Sequence, residues 1–415
     1  MTTNVITRVI DGAQGWINER APGLQQWMDR HAIKYYAPKN FNFWYFFGSL
    51  ALVVFVNQIV TGIWLTMSYK PSAAEAFDSV EYIMRDVDWG WLIRYMHSTG
   101  ASAFFIVVYL HMFRGLIYGS YQKPRELIWT LGVVIFLVLM AEAFLGYVLP
   151  WGQMSYWGAQ VITSLFGAVP VIGEALVEFI RGDYLISDAT LNRFFALHVI
   201  AVPFAIAILV VLHLVALHET GSNNPDGIES KDKTDKNGKP LDGIPFHPYY
   251  TVKDIVGVGV FLAIFCAVVF FVPTFGGLFL EAPNFEPANP LSTPQHIAPV
   301  WYFTAFYAML RAVPDQQLGA LVMLLAILML FFVPWLDRSP VKSIRYKGIL
   351  SKIALSVFVV TFVTLCYLGM QPAEGLYTLL ARIFTVLYFA FFLLMPWYTR
   401  AETTKPVPER VTYHA

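Results

Sequence analysis

The sequence predicts an all-α integral membrane protein with eight transmembrane helices, and three observations lead to this fold class. The 415 residues are 57% hydrophobic and 13% charged, with a mean hydropathy of +0.55, which excludes an ordinary soluble globular protein. Eight apolar runs are each long enough to cross a bilayer as a helix. Four histidines lie inside two of these runs, where polar side chains are costly and usually functional.

The loops between the eight runs differ in charge, and this difference predicts the orientation. We place the runs at residues 42–68, 92–118, 126–149, 191–217, 254–273, 316–336, 348–369 and 376–398. An even number of spans puts both termini on one side, where lysine and arginine concentrate. The opposite loop at 274–301 has no lysine or arginine. We therefore expect both termini in the cytoplasm. The net charge is zero, so nothing directs the chain to nucleic acid.

Five regions follow from this topology. They are an N-terminal arm with a surface helix at 1–40, a four-helix bundle at 41–220, a cytoplasmic loop at 221–253, a second four-helix part at 254–400, and a cytoplasmic tail at 401–415. The arm mixes charges of both signs, which a secretory signal does not. Residues 229–243 are rich in glycine, asparagine, lysine and aspartate and predict a mobile, solvated loop. The long loop at 150–187 contains a helix-capable stretch at 161–166.

The four membrane histidines form two pairs of nearly equal spacing, His97 with His111 and His198 with His213. On a helix, a step of 14 residues returns to within about 40° of the same face and climbs about 21 Å. The step of 15 in the second pair lands about 60° away on the other side, and Pro203 can kink or rewind the helix there. The second and fourth runs are parallel. We therefore expect His97 opposite His198 toward the outer side, and His111 opposite His213 toward the cytoplasm.

Two facing imidazoles fill both axial positions of a haem iron, which leaves a cofactor that only carries electrons. Cys266 and Cys366 lie in apolar runs and no Cys-x-x-Cys-His motif is present, so any haem is held non-covalently. The pattern predicts two b-type haems in the N-terminal bundle, one above the other. A single membrane histidine is more often a helix-bridging or proton-relay residue, but four at matched depths favour haem ligation.

Glycines and arginines support the haem interpretation. The first and third runs each repeat the 14-residue step in glycine, at Gly48 and Gly62 and at Gly132 and Gly146. A missing side chain lets a flat macrocycle approach the backbone closely. Arg94 and Arg114 each lie three residues from a histidine, where they can pair with haem propionates.

Four motifs carry a resemblance to a known family over essentially the whole chain. They are Arg94-Tyr95-Met96-His97, GYVLPWGQ at 146–153, HETGSNNP at 218–225, and Pro299-Val300-Trp301-Tyr302. Together they resemble the cytochrome b subunit of respiratory cytochrome bc complexes, the ubiquinol–cytochrome c reductases, in the undivided bacterial form. The resemblance implies quinol oxidation near the outer face, electron transfer through a low- and a high-potential haem, quinone reduction near the inner face, and proton translocation.

The resemblance also implies partners and a location. A Rieske iron–sulfur protein and a membrane-anchored c-type cytochrome are expected from other chains, with membrane lipids around a homodimeric complex. The expected location is the bacterial inner membrane. Two other functions stay open: a dihaem electron-conducting anchor of another quinone-linked dehydrogenase, which lacks an outer quinol site, and a haem-free transporter whose histidines move protons.

The inner quinone site is expected among polar residues at the cytoplasmic helix ends. His218 closes the fourth run, and Lys253 and Asp254 open the fifth, where they can donate protons. Ser222 and Asn223 can hold a quinone carbonyl. The alternative is that these residues cap helix ends and contact lipid headgroups.

The outer quinol site is expected where two distant segments meet. Tyr147 ends the third run, and Pro299, Trp301 and Tyr302 come from the second half of the chain. Apolar and aromatic side chains suit a ring with an isoprenoid tail. An interfacial aromatic belt explains the same aromatic residues nearly as well.

One residue departs from the family pattern. Val300 stands where much of the family has a glutamate thought to accept a proton from quinol, and a valine cannot titrate. Glu142 is the acidic residue in the interior of the third run, about one helical turn before Gly146. We predict Glu142 as the substitute base. The alternative is a neutral glutamic acid that bonds a neighbouring helix.

Overall fold

Helices long and apolar enough to cross a membrane dominate the computed structural model, which describes residues 5–28 and 35–413. In these residues there are eight, at Phe43–Thr66, Gly90–Tyr118, Glu126–Val148, Asp188–Thr220, Phe246–Phe271, Gln316–Leu336, Ile349–Gly369 and Gly375–Leu393. The predicted fold class is confirmed. Parts of the expected arm and tail, at residues 1–4, 29–34 and 414–415, lie outside the described residues.

The secondary structure is almost entirely helical. Helices α1 to α16 cover Val5–Arg20, Pro22–Met28, Phe46–Thr66, Ala76–Arg85, Gly90–Tyr118, Glu126–Val148, Gln153–Ser164, Gly173–Arg181, Asp188–Ala196, Val202–Thr220, Phe246–Phe271, Thr304–Ala312, Gln316–Leu336, Ile349–Gly369, Gly375–Leu393 and Met395–Ala401. Two short strands, β1 at Tyr36–Pro38 and β2 at Gly243–Pro245, pair antiparallel. Helices α7 and α8 fill the long loop in which a helix was expected.

Helix packing divides the chain into two joined groups. In the first group α3 packs on α5 and α6 packs on α10, so each histidine-bearing helix lies against a glycine-bearing one. In the second group α12 contacts α13, α14 and α15. The groups meet where the Phe105 ring of α5 stacks on Tyr302, with centroids 4.0 Å apart. The Tyr109 hydroxyl also donates to the Tyr302 carbonyl at 2.5 Å. These contacts fix the Tyr302 segment against the bundle.

The fourth span contains a π-helical turn at Leu197–Ala201 that joins α9 to α10. Such a turn accommodates one more residue than an α-helical turn. It includes His198 and directly precedes Pro203, whose ring and missing N–H disturb the regular hydrogen bonds. The extra residue in the 15-residue step to His213 is therefore absorbed, as rewinding near Pro203 predicts.

The fifth span begins earlier than predicted. Its helix starts at Phe246, with a break at His247 (φ −94°, ψ 131°), so Lys253 and Asp254 lie inside the helix and do not open it. The residue before a proline favours extended backbone, and Pro248 then suits a first helical turn. Hydropathy alone missed this start because the first turns are polar and aromatic.

The loop at 221–253 contacts the arm and the tail near its two ends, whereas residues 231–239, in the segment predicted to be mobile and solvated, are exposed. Its strand β2 pairs with β1 of the N-terminal arm. The Asp242 carboxylate forms ion pairs with Lys39 at 3.0 Å and with Arg410 at 2.8 Å. In the tail, the Thr412 backbone N–H donates to Asp226 at 2.7 Å. The arm, the loop and the tail therefore form one cap over one end of the helix bundle.

A buried ion pair anchors this cap to the third span. Arg125 is 2% exposed and makes a bidentate contact with Glu229 at 2.7 and 2.8 Å, and Lys342 binds the same carboxylate. Burial alone would raise the pKa of Glu229, but hydrogen bonds and charge from Arg125 and Lys342 outweigh it and lower the pKa to about 2. The folded pKa lies below the ordinary value of 4.5, so this stabilisation is present above pH 4.5 and is lost as the pH falls toward 2.

We expect Glu229→Gln to destabilise the protein by about 3 kcal/mol, because it leaves a buried guanidinium without its counter-charge. Thermal unfolding of the purified protein in detergent measures the effect. The matched control is Glu75→Gln in the exposed Lys70–Glu75 pair, where Glu75 is 54% exposed and solvent screening makes the cost small. Equal shifts in the two variants would contradict the anchoring role.

Candidate functional site

The four predicted histidines form two facing pairs between α5 and the fourth span. The ring centroids of His97 and His198 are 6.2 Å apart, and those of His111 and His213 are 6.4 Å apart. A metal–imidazole bond is about 2 Å long, so two imidazoles bound through Nε2 on opposite sides of one metal have centroids about 6 Å apart. Both pairs therefore fit an iron between the rings.

The other ring nitrogen of each outer histidine has a polar neighbour. Nδ1 of His97 lies 2.9 Å from Oγ1 of Thr61. Nδ1 of His198 lies 3.0 Å from the backbone oxygen of Glu142 and 3.0 Å from its carboxyl Oε1. Metal-binding histidines commonly donate their second N–H to such a partner, which fixes the ring orientation. Nε2 then remains for the metal.

Each of the four predicted glycines faces one histidine across the helix interface. A β-carbon on Gly62, Gly48, Gly132 or Gly146 would lie 3.3, 3.4, 3.4 or 2.4 Å from Cε1 of His97, His111, His213 or His198, respectively. The glycine step in α3 and α6 therefore matches the histidine step in α5 and the fourth span. A larger side chain at these positions would enter the space beside the rings.

Buried polar atoms near the inner pair lack hydrogen-bond partners among the described residues. They include Nδ1 of His213, Nε of Arg114, the hydroxyl of Tyr45 and Oδ1 of Asn223. Arg114 and Asn223 both contact the Ser120 hydroxyl, at 3.3 and 3.2 Å. The unpaired N–H of Arg114 and the Tyr45 hydroxyl can donate to an anionic group such as a haem propionate, whereas Oδ1 of Asn223 can only accept a hydrogen bond. Arg114 and Asn223 therefore lie together at the Ser120 hydroxyl, and the binding of a quinone carbonyl by Ser222 and Asn223 stays a prediction.

At the outer pair the bundle encloses a mainly apolar cavity of about 250 Å³. Its wall includes Arg94, His97 and His198 together with Tyr147 and Tyr302. Residues expected to hold a haem and residues expected to hold a quinol therefore share one cavity.

Trp301 fixes the outer motif in place, and Pro299 precedes the residues of the motif that line the cavity. The indole N–H of Trp301 donates to the Ser102 hydroxyl at 3.1 Å, which fixes the motif on α5. Pro299 leads into this segment, while Val300 and Tyr302 line the cavity.

Glu142 lines the same cavity, but one of its carboxyl oxygens is directed at the ring of His198. Its other carboxyl oxygen is buried without a hydrogen-bond partner in the described part of the chain. Action as the quinol base stays a prediction. The contact between the Glu142 carboxyl group and Nδ1 of His198 instead favours a role for Glu142 in positioning the His198 ring.

A second acidic residue, Glu281, lies at the outer site and was not among the predicted residues. Its carboxylate accepts a hydrogen bond from the Tyr147 hydroxyl. Burial raises the pKa of Glu281, and the Tyr147 hydrogen bond acts in the opposite direction. The sequence offered one indication, an acidic residue in a long outer loop without lysine or arginine.

The residues predicted for the inner quinone site fall into two neighbouring groups at the capped end of the bundle. In the first, Tyr35 contacts His218 edge-on, with centroids 4.5 Å apart, and its hydroxyl lies 2.8 Å from Oγ of Ser222. Tyr35 is a buried residue of the arm that no sequence motif indicated.

In the second group, two residues of the fifth span contact the start of the first span. Lys253 donates to the Phe41 carbonyl at 2.9 Å, and Asp254 accepts from the Ser49 hydroxyl at 2.9 Å. Tyr250 packs with Tyr35 and joins the two groups.

Comparison with known proteins decides the family. The family model described as cytochrome b/b6/petB matches residues 32–221, and cytochrome b(C-terminal)/b6/petD matches residues 287–389. The chain belongs to the cytochrome b family. It is 69% identical over 405 residues to cytochrome b of Allochromatium vinosum, covering 96% of this chain and 97% of the relative. Cytochrome b of Rhodospirillum rubrum is 51% identical over 96% of this chain and 95% of its own length.

A solved structure agrees with this assignment. A chain of a hyperthermophilic respiratory Complex III superimposes with a TM-score of 0.85 at 40% identity, covering 94% of this chain and 99% of the other. This cytochrome b is therefore a subunit of a bc-type complex, an electron-transport oxidoreductase, and it binds b-type haem. The predicted resemblance is confirmed.

We expect Gly146→Ala to lower the b-type haem absorbance per polypeptide. Its β-carbon would lie 2.4 Å from Cε1 of His198, whose ring Glu142 holds in place. Overpacking of this kind costs about 1–3 kcal/mol. Gly259→Ala is the control, because nothing lies within 4 Å of the β-carbon that it adds in the fifth span. Reduced-minus-oxidised spectra give the haem content. Equal content in the two variants would contradict the close approach.

Proposed function

We propose that this cytochrome b holds two b-type haems and conducts electrons across the membrane in a quinol–cytochrome c oxidoreductase. The observation that carries the proposal is the two histidine pairs, with ring centroids 6.2 and 6.4 Å apart, at two levels of the same two spans. His97 and His198 bind the outer iron, and His111 and His213 bind the inner iron. Haems held by these histidine pairs would supply reversible one-electron transfer, and the two imidazoles of each pair would keep substrate from the iron.

Quinol oxidation takes place in the cavity beside the outer pair. Tyr147 and Tyr302 wall this cavity with apolar neighbours, which suits a quinol ring and its tail. Trp301 holds the motif against α5, and Pro299 directly precedes the residues that line the cavity. Because the outer histidines line the same cavity, an electron leaving the quinol has a short route to the outer haem. A one-site membrane anchor does not require this arrangement.

Quinone reduction takes place at the cytoplasmic end, between Tyr35 and the start of the first span. His218 and Ser222 lie at Tyr35, where they can bind a quinone carbonyl. Lys253 and Asp254 lie on the other side and supply protons from the cytoplasm. Proton release outside and uptake inside together translocate charge.

The complex supplies what this chain does not contain. The Complex III neighbour supports a Rieske iron–sulfur protein and a membrane-anchored c-type cytochrome as partners, in a homodimeric complex surrounded by lipid. The absence of lysine and arginine from residues 274–301 supports a bacterial inner-membrane location with both termini in the cytoplasm.

The proposal is tested with His213→Ala in the purified complex. We expect loss of the inner haem and, at least, roughly tenfold slower quinol–cytochrome c turnover, because electrons reach the outer haem but not the inner quinone site. Quinol still reduces the outer haem in a single turnover. The exposed His247 provides the control variant His247→Ala, with normal haem content and turnover. Normal turnover without the inner haem would refute the two-haem route.

We expect Glu142→Gln to raise the midpoint potential of the outer haem, on the order of tens of millivolts, and to leave the inner haem unchanged. A carboxylate at Nδ1 makes His198 more basic and favours oxidised iron, and an amide does so less. Potentiometric titration of the two haems measures the shift. An unchanged outer potential combined with an altered pH dependence of quinol oxidation would favour the base role for Glu142.

A further inference from the structure

The outer cavity has no carboxylate at the position where its motif would supply one. Val300 is 4% exposed and lines the cavity, and its side chain accepts no proton. Oxidation of a quinol to a quinone releases two electrons and two protons, so a proton acceptor within hydrogen-bonding reach is required. This requirement rests on the proposed function of the cavity.

Two glutamates lie near enough to be considered. Glu142 directs one carboxyl oxygen to Nδ1 of His198 at 3.0 Å, which engages it with the histidine pair. Glu281 is instead hydrogen-bonded to the hydroxyl of Tyr147, and that tyrosine lines the cavity together with Val300. The two carboxylates therefore face different neighbours.

We propose that Glu281 accepts a proton from the bound quinol through the Tyr147 hydroxyl, and so replaces the carboxylate that Val300 lacks. The quinol O–H bond breaks and its proton passes to the Tyr147 oxygen. The proton of that hydroxyl passes to Glu281. One electron goes to the iron–sulfur partner and one to the outer haem, and the second proton leaves with the electron taken by the partner.

The loop that carries Glu281 is fixed on the motif that contains Tyr147. The backbone N–H of Asn284 donates to the Glu281 carbonyl at 3.0 Å, and the Asn284 side chain accepts from the Ser155 N–H at 2.9 Å. A β-carbon on Gly152 would lie 2.3 Å from Oδ1 of Asn284, so this glycine permits the contact. Glu281 is therefore held in position for Tyr147.

The surroundings of Glu281 suit a base that releases its proton to water. The groups that face it are the hydroxyl of Tyr147 from α6 and Tyr302 from the opposite motif, and neither is a cation. Residues 274–301 contain no lysine or arginine to neutralise it. Glu281 is partly exposed and is followed by exposed residues at 282 and 283, which open a route to the outer side.

The test uses Glu281→Gln in the purified complex with the quinol analogue decylubiquinol and cytochrome c. We expect at least roughly tenfold lower turnover, because the Brønsted base is lost, and loss of the rise in turnover with increasing pH that an ionising carboxylate produces. Haem content and midpoint potentials stay normal. Glu281→Asp keeps the pH dependence, and adding Val300→Glu to Glu281→Gln restores turnover. Glu286→Gln, an exposed glutamate of the same loop, is the matched control.

Wild-type turnover with an unchanged pH profile in Glu281→Gln would overturn the proposal. Lost turnover with an unchanged pH profile, or without rescue by Val300→Glu, would also overturn it, since a structural role then explains the loss. If Glu142→Gln alone removes the pH dependence, Glu142 is the base and the proposal is wrong. A wild-type complex that does not oxidise decylubiquinol would instead refute the proposed function.

Discussion

The facing of imidazoles at two depths constrains the rest of this structure. Two spans must run parallel and keep two ring pairs in register, with centroids 6.2 and 6.4 Å apart. The neighbouring helices α3 and α6 must then carry small residues beside the rings. Each of them has two glycines there, one at each histidine pair. The π-helical turn at Leu197–Ala201 meets the same requirement, since it removes the rotation that an extra residue would add. Helix register, small residues and one local irregularity thus serve a single geometry.

The outer cavity brings the histidine pair together with the residues proposed to bind quinol. The histidine pair, Tyr147 and the Tyr302 motif share one mainly apolar space, so an electron and a proton can leave a substrate in different directions. Two glutamates make different polar contacts: Glu142 contacts the imidazole of His198, and Glu281 contacts the phenol of Tyr147. A carboxylate in apolar surroundings is costly unless a partner shares its charge, and each of these has one. Loss of the motif glutamate at Val300 therefore does not leave the cavity without carboxylates.

Sequence reasoning reached the fold class and the histidine spacing because membrane spans and helical periodicity are local properties of the chain. It placed the start of the fifth span eight residues late because Phe246 begins a polar, aromatic first turn that hydropathy does not detect. Local composition could not reveal that Asp242, at the end of the loop predicted to be mobile, forms ion pairs with Lys39 and Arg410 from distant segments. Glu281 and Tyr35 were not predicted as site residues, for the same reason. Each acquires its role from a partner more than 100 residues away, Tyr147 and Ser222, respectively.

The coordination and number of the haems in the purified complex test most directly whether each of the two histidine pairs binds an iron. Electron paramagnetic resonance of the oxidised protein, with haem extraction per polypeptide, measures both. We predict two haems on this chain, each low-spin with two imidazole ligands, and no carbon monoxide binding after reduction because no axial position is open. One haem per chain, or a high-spin haem that binds carbon monoxide, would contradict it.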